Sequence, residues 1–303
     1  MLKKIWYVPL WIIVVSQTVS CTCSRTQQDG NDFVVPDSVH NVSIKISDNL
    51  VKEIVDNISS PIETAALFKS LNVPFSQKYL ATTKNLSDYN TAYDKAFNLG
   101  VFGADLGYLN MYGKTSMVSV YIVAMKNLAE GLNIGQFFNY ATLKRLSDNN
   151  ESIDSLINIS QQSFNRMDRY LRQSGRGNLS IVMISGVWME AMYLSCRFYE
   201  ESSNARLAES IGEQKLLLNE LVKMLGYYQN QKEIAALILK FAEIQEAYAP
   251  VEITMKEGGA PDRIEQDGSL RIVQHDSSIV TCTEEQLRVI IDEIKRIREE
   301  LTK

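Results

Sequence analysis

The sequence predicts an all-α fold, a multi-helix bundle of antiparallel helix pairs with a small C-terminal β-hairpin plus helix, on three observations. Apolar residues recur at helical spacing almost without interruption from about residue 47 to 249. Helix start and stop signals punctuate that pattern at short intervals. Strand-like alternation is nearly absent before residue 250, so helices must bury their apolar stripes against other helices. The chain divides into 1–20, a lipoprotein signal peptide; 21–40, a flexible tether; 41–249, the helical domain; and 250–303, a linker, short hairpin and C-terminal helix.

At the N-terminus Lys3 and Lys4 precede an apolar run, Ile5 to Val15, and Thr18-Val19-Ser20-Cys21 sets a small residue before a cysteine. Spanning a bilayer takes about 20 residues, so a run this short reads as a cleaved signal rather than an anchor. The expected lipidation site is Cys21, with Cys23 as an alternative acceptor. Plain cleavage after Ser20 and an uncleaved anchor reaching Cys23 are the competing readings. Two or more acyl chains hold a protein stably, which gives the membrane as a partner through lipidated Cys21. The expected location is the cell envelope, lipid-anchored at the outer membrane on its periplasmic or surface face. Ser24 to Asp37 is polar, with too few apolar residues to pack.

Ser60-Pro61-Ile62-Glu63 is a helix opening: Ser60 caps, Pro61 takes the first turn and Glu63 reaches back. Asn72 to Asn85, with Pro74, is the longest apparent loop of the domain, and long ordered loops are often functional. Further helices are expected at about 87–112, 115–132, 136–147, 151–173, 178–201, 204–227 and 230–248. Ser174-Gly175-Arg176-Gly177-Asn178 breaks the pattern, because Gly ends helices cheaply and Asn178 can cap the next one. After Pro250, Leu270 to Gln274 and Ile279 to Cys282 are two β-rich runs suited to a hairpin. Thr283 and Gln286 form a capping box, and Leu287, Ile290, Ile294, Ile297 and Leu301 lie on one seam. That seam is expected to pack on the bundle rather than to dimerise.

The formal net charge is −5 and becomes −7 once the signal takes Lys3 and Lys4 away. An acidic chain without a Lys/Arg cluster argues against nucleic acid as a partner. Cysteines stand at 21, 23, 196 and 282; with Cys21 acylated they are no disulfide framework. An oxidising envelope would permit a Cys196 to Cys282 bridge, but the apolar surroundings of Cys196 read as core. His40 and His275 have no second ligand at metal spacing, so no metal and no cofactor is expected.

The unusual internal feature is Gly100-Val-Phe-Gly103-Ala-Asp105-Leu-Gly107-Tyr108 within a helix. Each interior Gly costs about 1 kcal/mol relative to Ala. Ala96, Gly100, Gly103, Ala104 and Gly107 form a smooth face that lets another helix or a ligand approach. The next face carries Val101, Asp105, Tyr108 and Tyr112, and its 4, 3, 4 spacing recurs 85 residues later in Gly186, Glu190, Tyr193 and Arg197. Both segments read acid-x-x-Tyr-Leu, a weak sign of duplication.

If the two segments face each other, Asp105, Glu190 and Arg197 meet in the bundle. One reading is a polar ligand pocket rimmed by Tyr93, Tyr108, Tyr112, Trp188 and Tyr193. A second is a structural ion pair, Arg197 with Glu190 or Asp105. A third is a carboxylate-dependent hydrolase, which needs two acids flanking a scissile bond. No catalytic motif supports it.

Ser60-Pro-Ile-Glu63, Asn72-Val-Pro-Phe-Ser76 and the run Tyr93 to Tyr108, with its Asn98-Leu-Gly-Val-Phe-Gly-Ala-Asp105-Leu core, resemble uncharacterised all-helical lipoproteins of the Bacteroidetes group. Their loose lipobox resembles the one here, where Thr18 stands at the position usually held by Leu. The resemblance implies an envelope location and a helical bundle, and brings no functional residues with it. The expected function is therefore a non-enzymatic, lipid-anchored binding or interaction module for an envelope protein or small ligand. The alternative is a small-ligand binder or hydrolase at Asp105 and Glu190.

Overall fold

A computed structural model describes residues 67–139, 141–143, 153–256, 262–266, 269–273 and 277–303. The signal, Cys21, the tether and the Ser60 helix opening lie outside the described residues, as do residues 140 and 144–147 of the expected 136–147 helix, whose described start is a 3-10 turn, Gly135–Phe137. The architecture is an all-α bundle.

After a helical stretch at 67–70, a strap from Leu71 to Asn90 leads into α1 (Ala92–Met111). Thr91 accepts from the Asp94 N–H and the Asp94 carboxylate accepts from the Thr91 N–H, a full capping box. Helix α2 (Thr115–Gly131) follows a three-residue turn containing Gly113 at φ 62°. Helix α3 (Ile153–Gln173) ends at Gly175, whose φ of 73° suits a residue without a side chain. Then come α4 (Gly177–Ser202), α5 (Ala205–Gly226) and α6 (Lys232–Tyr248). The expected Asn178 cap does not form. The Asn178 amide instead donates to Tyr93 Oη and Gln231 Oε1, at 3.1 and 2.8 Å, so it ties three elements together.

Chain neighbours pack antiparallel, as expected. Gly131 at the end of α2 lies by Lys95 at the start of α1, Trp188 of α4 meets Gln214 of α5, and Tyr248 of α6 donates to Ile211 O of α5 at 2.7 Å. The central pair, α1 with α4, runs parallel. Tyr93 meets Asn178 near the helix starts, and Tyr108 packs on Phe198 at 5.5 Å towards their ends. Two glycines make this contact possible. A Cβ on Gly100 would lie 2.0 Å from Met183 O, and one on Gly186 would lie 2.0 Å from Phe97 O. The expected smooth face is split between neighbours, because Gly103 points to Phe164 of α3 and Met125 of α2 rather than to α4.

Gly177–Ser202 is long and apolar enough to cross a membrane, yet 89% of its apolar window is buried inside the bundle. Its apolar character belongs to the core.

Beyond α6 the chain forms β1 (Glu252–Lys256), β2 (Asp262–Gln266), β3 (Ser269–Val273) and β4 (Ser277–Thr281). Both β-rich runs are strands, but they pair with earlier partners: β2 with β3, and β1 with β4, each antiparallel. The sequence signal for the inner pair is Asp267-Gly268, a dipeptide favoured in two-residue hairpin connections. Helix α7 (Glu284–Leu301) opens with the Thr283/Gln286 capping box. Its seam, Leu287, Ile290, Ile294 and Ile297, is buried with Ile291 as an added member, against α4 and α6. Each fully buried Leu or Ile contributes about 1.5–3 kcal/mol, which explains why this helix docks on the bundle.

Candidate functional site

Asp105 of α1 and Glu190 of α4 stand together at the middle of the central pair, both with 0% exposure. The two acid-x-x-Tyr-Leu segments therefore sit side by side. The cation that meets them is Arg298 of α7, and the expected Arg197 is a correction. Arg298 Nε donates to Glu190 Oε2 and Nη2 to Oε1, both at 2.8 Å, and the guanidinium lies 4.4 Å from the Tyr193 ring centre. Arg197 is seven residues beyond Glu190, about 10 Å along the helix. It pairs with Glu200 at 2.7 Å and stacks over Tyr79. Burial opposes the Arg298 charge, but Glu190 more than offsets it and holds the guanidinium above its ordinary value.

The second carboxyl sets the chemistry. Asp105 Oδ2 accepts from the Ala81 N–H at 2.9 Å, while Oδ1 meets no N–H or O–H donor. What lies within hydrogen-bonding reach is Glu190, itself an acceptor. Two carboxylates repel in a low-dielectric interior, and a proton on Asp105 converts that contact into a hydrogen bond. Burial first, and then the Glu190 charge, raise the Asp105 carboxyl well above the ordinary range, with Arg298 and the Ala81 N–H pulling the other way. The cluster thus sets Asp105, Glu190 and Arg298 in series from α1 through α4 to α7, with its surroundings favouring a proton on Asp105.

The outer partner of this series is the strap. Tyr121 of α2 donates to Ala81 O at 2.6 Å, so the flanking groups of one residue are gripped from both sides. Tyr108 Oη accepts from the Ser76 N–H at 2.9 Å, and Tyr112 donates to Val73 O at 2.7 Å. Tyr79, on the strap itself, donates to Glu201 at 2.6 Å. Burial raises the phenols of Tyr108, Tyr112 and Tyr121 above their usual value, so they act as neutral hydrogen-bonding groups. Val73 and Tyr79 pack with Tyr108, Leu194 and Phe198. The face expected to hold a ligand, Asp105, Tyr108 and Tyr112, is taken up by the chain's own backbone.

The remaining expected residues have other places. Trp188 is buried against Phe241 and donates to Gln214 at 3.1 Å, on the side of α4 towards α5 and α6. Tyr193 covers Arg298, and Tyr93 bonds Gln231 and Asn178 near the helix starts. Cys196 and Cys282 are free thiols; burial pushes the Cys196 thiol up and makes it a poor nucleophile. Among the described residues no three His, Cys, Asp or Glu side chains gather to hold a metal.

Sequence reasoning missed two participants. Arg298 lies next to Ile297 of the α7 seam, and a cation beside an apolar seam was the available signal. Tyr121 sits among apolar residues of α2 with nothing local to mark it. On the outer side of Ala81 the strap and α2 enclose a cleft of about 320 Å³, lined by Leu80, Ala81, Lys84, Met117, Val120 and Tyr121 among others.

The fold and this cluster define an all-α bundle whose buried polar groups hold a surface loop against the core. No protein-family model, curated protein or solved structure matches the chain.

Proposed function

We propose that the chain is a lipid-anchored, non-enzymatic binding module of a bacterial cell envelope, with the strap and its cleft as the binding face. The N-terminal signal features ending at Cys21 support the anchor, and the resemblance to helical lipoproteins of Bacteroidetes agrees with it. The observation that carries the binding role is the grip on the strap. Four side chains of α1 and α2 (Asp105, Tyr108, Tyr112 and Tyr121) each bind its main chain between Val73 and Ala81. Loops held in place by a rigid scaffold are where binding surfaces concentrate, and preorganisation removes the cost of ordering them on contact.

The hydrolase alternative is disfavoured by space. Retaining glycosidases need carboxyls about 5 Å apart and inverting ones more, whereas Asp105 and Glu190 are fully buried and within hydrogen-bonding reach. No substrate fits between them.

The anchor is tested by fractionating cells that express Cys21→Ala: the protein should move from the membrane to the soluble envelope fraction, and continued retention would refute it. The binding face is tested with a photo-crosslinking residue at Val120, 51% exposed beside the cleft, against one at Leu239, 67% exposed on α6. Adducts in intact cells are expected at Val120 and not at Leu239; the reverse pattern, or none at either, would refute the assignment.

A further inference from the structure

The cleft has one chemical character on its floor and another on its rim. Leu80 and Met117 are half-buried, Val120 is exposed beside them, and the Tyr121 hydroxyl is occupied by Ala81 O. These side chains give an aliphatic and aromatic floor, in which Met117 is adaptable, and Gln77, Thr82 and Thr83 complete the lining with neutral polar groups. Among the described residues no carboxylate lines the cleft, and Lys84 is its single charged group. Among the described residues Lys84 pairs with no carboxylate, unlike Lys78, which Glu201 meets at 2.6 Å. The charge bias extends along the strap: between Glu63 and Asp88 the chain carries Lys69, Lys78 and Lys84 and no acid, in a protein of net charge −5. Lys114, from the α1–α2 turn, lies over Phe75 of the strap. With Lys78 met by Glu201, Lys84 is the charge at the cleft that favours an anion, and pockets near this volume hold small organic molecules.

We propose that the cleft binds an anionic amphiphile, its aliphatic segment on Leu80, Met117 and Val120 and its carboxylate or phosphate at Lys84. The proposal rests on the strap being the binding face. The wall at Ala81 is set before the ligand arrives, because Asp105 and Tyr121 fix it on both sides. A free fatty acid and an anionic membrane lipid share this chemistry.

The test uses the full chain carrying Cys21→Ser, purified without detergent, with the Met117 methyl followed by NMR. Decanoate and decanol are the paired probes, kept monomeric. Decanoate should shift the Met117 signal saturably, with decanol at least about tenfold weaker, as expected for loss of one charge-assisted contact. Lys84→Met should weaken decanoate by a similar factor and leave decanol unchanged, and Val120→Trp should abolish both. Both positions are exposed, and an unchanged melting temperature confirms that the variants fold. Equal binding of the two probes, binding that survives Val120→Trp, or no saturable shift would overturn the proposal. Retention on phosphatidylglycerol vesicles that Lys84→Met removes assigns the source as membrane lipid; response to monomeric decanoate without retention assigns a free amphiphile. If Val120 crosslinks in cells while decanoate fails, the ligand class falls and the binding face stands.

Discussion

Replacing Asp105 by Asn tests the shared proton. The Asn oxygen can still accept from the Ala81 N–H, and the amide N–H₂ can donate to Glu190, so the variant copies the protonated acid without needing a proton. In the native protein burial and Glu190 hold the Asp105 carboxyl well above its ordinary value, whereas in the unfolded chain it ionises near pH 4. A raised native value means that folding takes up a proton. The contribution to stability is therefore complete below about pH 4 and is lost as pH rises towards the native ionisation. The slope is about 1.4 kcal/mol per pH unit for one proton. Between the unfolded and the native ionisation the wild type should lose stability with rising pH, at up to that slope, that Asp105→Asn does not lose. Urea denaturation of both proteins at pH 5, 6 and 7 measures this, since other titrating groups cancel in the difference. A difference independent of pH would refute the protonated Asp105, and an Asn variant that weakens as pH rises would reverse the sign.

Arg298→Met should destabilise by about 3–5 kcal/mol, because it leaves Glu190 buried without its counter-charge; adding Glu190→Gln should recover part of the lost melting temperature, and no recovery would count against the pair. Gly100→Ala places a Cβ against the Met183 carbonyl, so its roughly 1 kcal/mol gain in helix propensity should be outweighed and the net loss come to about 1–3 kcal/mol. Gly103→Ala meets nothing closer than the Phe164 ring at 3.3 Å and should fall within about 0.5 kcal/mol of the wild type or above it; equal losses at the two positions by thermal unfolding would show that the glycine contact does not set the helix distance. Tyr121→Phe leaves the Ala81 carbonyl without its donor and should cost about 1–3 kcal/mol, with faster amide exchange confined to the neighbourhood of Ala81; unchanged exchange there would release Tyr121 from its role in the strap.

The helices were legible because their information is local. The Thr283/Gln286 box, the Gly175 stop and the α7 seam are each written within a few residues, and each forms as read. The meeting of Asp105 with Glu190 was also legible, since each lies about one helical turn beyond a glycine that allows close approach, Gly100 and Gly186. Arg298 was not, because its partner is 108 positions away and periodicity does not say which helices touch. Arg197 shared the repeat spacing, but two helical turns put it beyond reach of the pair. The aromatic face of α1 carried a polar signal that could not name its partner, because a strap of the chain's own backbone satisfies tyrosines as well as a ligand does. The β pairing was not legible from the two β-rich runs alone, because strand composition does not name a partner and each run pairs with an earlier segment.

The parallel contact of α1 with α4 has a kinetic side. Two parallel helices cannot be joined by a short turn, and here α2 and α3 lie between them. A nascent chain extends by about 5–20 residues per second, so the glycine face of α1 and the side chain of Asp105 wait several seconds for α4, and Glu190 waits longer still for Arg298. Closing such distant segments slows folding, and the strap's contacts with Phe198 and Glu201 of α4 wait on that closure. Completion of the polar cluster behind the outer cleft is thereby timed by α7, whose Arg298 lies 108 positions after Glu190.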